Sequence, residues 1–177
     1  MDIIKLLLDK GMSVNLTNTQ DSTPLHITAY YGHLEATKVL VERGAAINNT
    51  DKNGDTALIV AAYCGKSEIF FYLTEIGADI NIRSPKYNST ALHYSALSGS
   101  VDIIKLLLDK GMSVNLTNTR GSTPLHYSAK FGHLEATKAL VERGAAINST
   151  DKDGDTPLMV ATLKGKLEIV HYLTNRR

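Results

Sequence analysis

The chain has 177 residues, 43% hydrophobic and 21% charged, with 19 basic against 18 acidic side chains and a net charge of +1. This composition excludes a disordered acidic tail, a collagen-like segment and a membrane bundle, and it lacks the basic surplus that displaces counterions from a nucleic acid. Cys64 is the one cysteine, so no intramolecular disulfide can form and packing must hold the fold, as suits a reducing compartment.

In chain order, the first element is the apolar run MDIIKLLLDKG. It has no basic n-region, and Lys5 and Asp9 interrupt it, so it reads as a helix and not as a signal peptide or a membrane span. A cytoplasmic location, extending to the nucleus, is expected. Next, Thr23 precedes Pro24, a hydroxyl N-cap beside a proline in the first turn, where the missing N–H costs nothing. This predicts a short helix from Leu25 to about Tyr31, broken by Gly32. A second helix begins near His33, with Leu34, Ala36, Leu40 and Val41 at helical spacing, and Gly44 follows it as a C′ glycine should. The polar stretch from Ile47 to Asp55 forms an extended turn into whatever comes next.

What comes next is the same unit again. TPLH at Thr23 returns as TALI at Thr56, TALH at Thr90, TPLH at Thr123 and TPLM at Thr156, at spacings of 33, 34, 33 and 33. A second word recurs behind each, from Gly32, Gly65, Gly99, Gly132 and Gly165. No single unit can bury the apolar side of both helices, so neighbours must stack into one continuous core. The expected fold is all-α, a solenoid of stacked helix–turn–helix units with projecting turn fingers. It forms a single array over 1–177: a partial repeat 1–19, repeats 20–52, 53–86, 87–119 and 120–152, and a terminal repeat 153–177.

The period, the Thr-Pro-Leu-His start, the central Gly-His-Leu-Glu and the closing Gly-Ala-x-Ile-Asn resemble ankyrin repeats over essentially the whole chain. Two departures stand out. The family favours alanine where Thr28, Ser95 and Ser128 stand, although Ala61 and Ala161 conform. An extra residue in Ser84-Pro85-Lys86-Tyr87-Asn88 is expected to lengthen one finger. Residues 1–77 and 101–177 also align without a gap, 56 of 77 pairs being identical. That points to a duplicated three-repeat block or to a piece cut from a longer array, with Ile3, Ile4, Leu7 and Leu8 presenting an apolar end surface.

The resemblance implies a concave groove lined by fingers and first helices, binding another protein. In the first copy its exposed positions are Thr19, Gln20, Ser22, Tyr30, Tyr31, Lys52, Asn53, Asp55, Tyr63 and Cys64. Of the 21 substitutions between the two copies, 6 fall at these ten positions and 15 at the other 67. A surface edited for a partner and the ordinary drift of exposed residues both fit that bias. Tyr30, Tyr31, Tyr63, Tyr87, Leu97, Phe131 and Leu163 form an apolar and aromatic stripe of the kind that anchors interfaces. Lys52, Lys86, Arg120, Lys130 and Lys152 beside Asp55, Asp153 and Asp155 give the groove a mixed-charge rim. The alternative is a regulatory or targeting segment of a larger enzyme, channel or effector protein.

No catalytic residue, metal ligand set, cofactor or small-molecule substrate is expected. Gly65-Lys66-Ser67 looks like the end of a phosphate loop, but Val60 stands where that loop needs glycine. His26, His93 and His126 recur at one repeat position, which suits a structural bond across adjacent turns better than convergence on a metal. Five Asn-x-Ser/Thr motifs occur, at Asn15, Asn48, Asn88, Asn115 and Asn148; in a secreted chain they would accept glycans, but four of the asparagines share the turn position of Asn81, where a side chain bonding its own backbone is wanted. The segment from Leu73 to Asn81 is similar to the ankyrin segment read by an asparaginyl hydroxylase, making Asn81 a candidate modification site. No membrane insertion and no nucleic-acid partner are expected.

Overall fold

The structure, a computed structural model, describes residue 6 and residues 9–176. The proposed apolar end surface at Ile3, Ile4, Leu7 and Leu8 lies outside the described residues. Among the described residues there are ten α-helices, and the β-structure is confined to isolated bridges. The helices form five pairs: α1 (Pro24–Tyr31) with α2 (Leu34–Glu42), α3 (Ala57–Tyr63) with α4 (Ser67–Glu75), and α5 (Ala91–Ser98) with α6 (Val101–Asp109). The last two pairs are α7 (Pro124–Phe131) with α8 (Leu134–Glu142), and α9 (Pro157–Leu163) with α10 (Leu167–Thr174). Odd-numbered helices make an inner row and even-numbered ones an outer row. Inner neighbours pack more closely than outer ones. Ala29, Ala62, Ala96 and Ala129, one in each of the first four inner helices and all fully buried, permit that close approach.

The core is a ladder with the same rungs in the first four units. Leu25, Leu58, Leu92 and Leu125 from the inner row meet Leu40, Leu73, Leu107 and Leu140 from the outer row, all buried. Burying one such leucine stabilises by about 1.5–3 kcal/mol, so the regular spacing of these residues sets the register of the stack.

Each Thr-x-Leu-His word closes its own helix start and grips the next unit. The Thr23 N–H donates to His26 Nδ1 (3.2 Å), and His26 Nε2 donates to the Asp55 carbonyl 2.9 Å away. His93 does the same between Thr90 and the Ser122 carbonyl, and His126 between Thr123 and the Asp155 carbonyl. An Nδ1 that accepts and an Nε2 that donates define the neutral imidazole. Burial accordingly pushes the His93 pKa down from 6.5 to about 4 and lowers that of His126 as well.

The polar replacements for alanine also have partners. Thr37 Oγ1 donates to Thr28 Oγ1 (3.0 Å), which donates on to the Leu25 carbonyl, and Thr137, Ser128 and Leu125 repeat the arrangement. The turn asparagines correct an expectation. Asn15 and Asn115 do not bond their own backbone: their Oδ1 atoms accept the N–H of Ala46 and Ala146 in the following unit (2.8 Å each), and Asn48 Oδ1 accepts that of Asp79. The stacked hairpin brings the next strand of backbone closer than the residue's own turn.

One glycine is tight for two reasons. Gly99 sits at φ +75°, and a Cβ there would lie 2.6 Å from the His133 ring, whose Nε2 donates to the Leu97 carbonyl. Gly111, at φ +86°, faces open space. Gly99→Ala is therefore expected to cost about 2–3 kcal/mol, the left-handed backbone plus a displaced inter-unit bond, against about 1–2 kcal/mol for Gly111→Ala. Urea titrations of the two variants give the comparison, and equal losses would show that the ring yields freely.

Candidate functional site

The fingers begin with a side chain that organises its own turn. Asn18, Asp51, Asn118 and Asp151 each use Oδ1 to accept two backbone N–H groups of their finger; for Asp51 these belong to Asn53 (2.8 Å) and Asp55 (3.0 Å). Adjacent fingers are tied at their tips by backbone bonds. The Lys52 N–H donates to the Gln20 carbonyl (2.9 Å), Thr119 to Tyr87 (2.8 Å) and Lys152 to Arg120 (2.9 Å). The third finger is one residue longer: its closing bond runs from Ser84 to Ser89, whereas the second runs from Asp51 to Asp55. Proline 85 occupies the donor position of that finger and has no N–H to give. It lies instead directly over Gly54, where a Cβ would meet its ring at 2.3 Å.

Between fingers and inner helices runs a groove of about 580 Å³. It brings together Tyr30, Asn53, Asp55, Tyr63, Lys86, Tyr87, Leu97, Arg120, Lys130 and Phe131 of the residues expected from the sequence. Tyr30, Tyr63 and Phe131 are 53%, 50% and 43% exposed, while Tyr87 and Leu97 are half-buried. Asp155 and Leu163 line a smaller recess of about 190 Å³ further along, which shares Arg120 and Lys130 with the main groove. Lys52 and Lys152 are exposed at finger tips, and Gln20 is exposed with its carbonyl engaged by Lys52. Two expected residues lie apart. Ser22 faces a different hollow, beside Met12, Leu16 and Ile27. Tyr31 is 61% exposed but stacks on His33, with ring centroids 5.9 Å apart, beyond the groove wall. Thr19 is exposed at a finger, and Cys64 is half-buried, its thiol pKa raised by that burial.

The chemistry of the groove is that of a surface. Tyr63 meets Tyr94 edge-on at 5.8 Å, and the Arg120 guanidinium lies 4.5 Å over the Tyr87 ring. Burial raises the Asp55 pKa, and its Oδ1 has no hydrogen-bond partner among the described residues. Among those residues no three His, Cys, Asp or Glu side chains gather closely enough to hold a metal ion, and no helix is long and apolar enough to cross a membrane.

A family model described as ankyrin repeats in three copies matches residues 1–84, 48–118 and 92–177. The chain belongs to the ankyrin-repeat family. Ankyrin repeats are generally protein–protein interaction modules and typically non-catalytic. A search of curated proteins returned no match.

Within this ankyrin-repeat array, sequence reasoning missed six lining residues: Asp51, Ile59, Val60, Ser84, Tyr94 and Tyr127. Val60, Tyr94 and Tyr127 share one repeat position, three residues before Tyr63, Leu97 and Lys130. Helical periodicity places residues three apart on one face, so that spacing was the available signal.

Proposed function

We propose that this ankyrin-repeat array docks a partner protein in its groove, with Tyr30, Tyr63, Tyr87, Leu97 and Phe131 as anchors. Asn53, Asp55, Lys86, Arg120, Lys130, Lys52, Lys152 and Asp155 form the polar rim, Leu163 extends the apolar floor, and Gln20 lies at its margin, while Ser22 and Tyr31 stand apart from it. One observation carries this reading: aromatic side chains that are half exposed line a single continuous hollow at the centre of the array. Aromatic anchors in such hollows dominate binding energy because they remove large area from water with few rotamers to freeze. Phe131→Ala or Tyr63→Ala is expected to weaken partner binding by about 1–3 kcal/mol with unchanged helicity. Calorimetric titration against the partner recovered by crosslinking tests this; unchanged affinity in both variants removes the groove from the interface.

Asn81 belongs to the proposal as a modification site. It is exposed at a hairpin turn, and its N–H donates to Asp79 Oδ1 at 2.8 Å, a carboxylate that the equivalent turns replace with serine or alanine. A mass increment of one oxygen on the Asn81 peptide of cell-derived protein supports it, and its absence under co-expression with an asparaginyl hydroxylase rejects it.

A further inference from the structure

The groove holds its positive and negative charges in different ways. Among the described residues the ion pairs are Lys38–Glu35, Arg43–Asp9, Lys138–Glu135 and Arg143–Asp109, all on the outer row or its end turns. None involves Lys86, Arg120 or Lys130, which are exposed in the groove with no carboxylate within ion-pair distance. Two of these cations share one ring: Lys86 Nζ lies 5.3 Å and Arg120 4.5 Å from the Tyr87 centroid, while Lys130 Nζ lies 5.9 Å from that of Phe131. The acidic residues of the same wall are turned to other uses. Asp51 binds two backbone N–H groups of its own finger, Asp151 does the same next door, and Asp55 Oδ1 is withdrawn from solvent. Gathering three cations around two rings with no direct ion pair leaves a local positive potential, offset only in part by the aspartates of the neighbouring walls, that a ligand anion relieves, and such complementarity steers association and fixes register.

We propose that the middle of the groove, at Lys86, Arg120 and Lys130 around Tyr87 and Phe131, receives an acidic segment of the partner protein. That segment carries an aspartate or glutamate between apolar or aromatic side chains. The inference rests on the groove being a docking site and names the chemistry of what docks there. A peptide fits better than a nucleic acid, because Asp51 and Asp55 on one side and Asp153 and Asp155 on the other would repel a phosphate backbone continuing along the groove.

The experiment pans the full chain against a displayed library of random peptides, then measures the synthesised motif by fluorescence anisotropy. The expected motif places Asp or Glu between apolar residues. Arg120→Glu or Lys130→Glu should raise its Kd by about tenfold or more, and a Glu→Lys exchange in the peptide should restore binding to those variants. Circular dichroism confirms that the variants fold. A basic or uncharged motif, a Kd indifferent to both reversals, or tighter binding of labelled oligo-dT overturns the acidic-segment inference. Failure of the docking reading looks different: no motif is selected, or Phe131→Ala and Tyr63→Ala leave the affinity of every selected peptide unchanged.

Discussion

Phe70→Ala is expected to destabilise the array by about 3–5 kcal/mol. Phe70 is fully buried in α4 and belongs to the continuous core that runs from Leu25 to Ala145. Its repeat equivalents are Thr37, Ile104, Thr137 and Val170, so one position accepts side chains of very different size and polarity. Where threonine stands there, the facing inner helix supplies a hydroxyl, Thr28 or Ser128, at 3.0 Å. Where phenylalanine stands, that helix supplies Ala61. In these three units the two positions act as a matched pair, volume-filling or hydrogen-bonded, whereas Ile104 faces Ser95, whose hydroxyl turns to the Leu92 carbonyl of its own helix. Phe70→Thr should be nearly as damaging as the alanine variant, because it opens a cavity and its hydroxyl keeps only the carbonyl four residues back, as Thr37 has at His33, without the second bond across to the inner helix. Adding Ala61→Ser should recover part of the loss. A double-mutant cycle by urea denaturation measures the coupling, and strict additivity of the two changes would refute the pairing.

Acid should weaken the fold well above the range of ordinary carboxylates. His93 is fully buried and holds its neutral form between Thr90 and the Ser122 carbonyl, with burial pushing its pKa from 6.5 to about 4. Between those values the unfolded chain takes up a proton that the folded chain refuses, so stability is full above pH 6.5, falls as pH drops and levels near pH 4. At about 1.4 kcal/mol per pH unit the total is about 3 kcal/mol, and His126, lowered for the same reason, adds to it. The native form also loses a bond on protonation, since Nδ1 could no longer accept from Thr90. Urea midpoints measured from pH 7.5 to 4 should fall steeply in the parent chain. They should fall much less in His93→Gln, which starts less stable. Parallel curves would show that this imidazole is not the group being titrated.

The fold was readable because its determinants are local and recur. The threonine before each inner helix, a glycine after nine of the ten described helices and leucines at helical spacing each act within one unit, and five copies reinforce the same register. The groove was readable in part for the same reason: helix ends and finger tips must face outward whatever the twist of the stack. What could not be read depends on how one unit lies on the next. Asn15 reaches Ala46 and His133 reaches Leu97 because stacking brings those backbones near, and no pattern within 33 residues encodes the distance. Tyr31 and Tyr30 are adjacent in sequence, yet one lies beside His33 and the other in the groove, since successive helical residues diverge by about 100°. Tyr94 and Tyr127 were passed over because their repeat equivalents Ile27 and Val60 look like ordinary core residues.

Proline 85 interrupts an otherwise regular row of main-chain ties, and mechanical behaviour follows from that. Elsewhere the tips are joined by a directional bond that resists both separation and shear. At the Gly54–Pro85 joint a ring rests on a glycine, a contact that opposes compression but offers little against sliding. Compliance should therefore concentrate at one seam, between the second and third fingers and across the width of the groove. Under load, or around ligands of differing thickness, the array should bend there first, with the segments on either side moving as stiffer bodies.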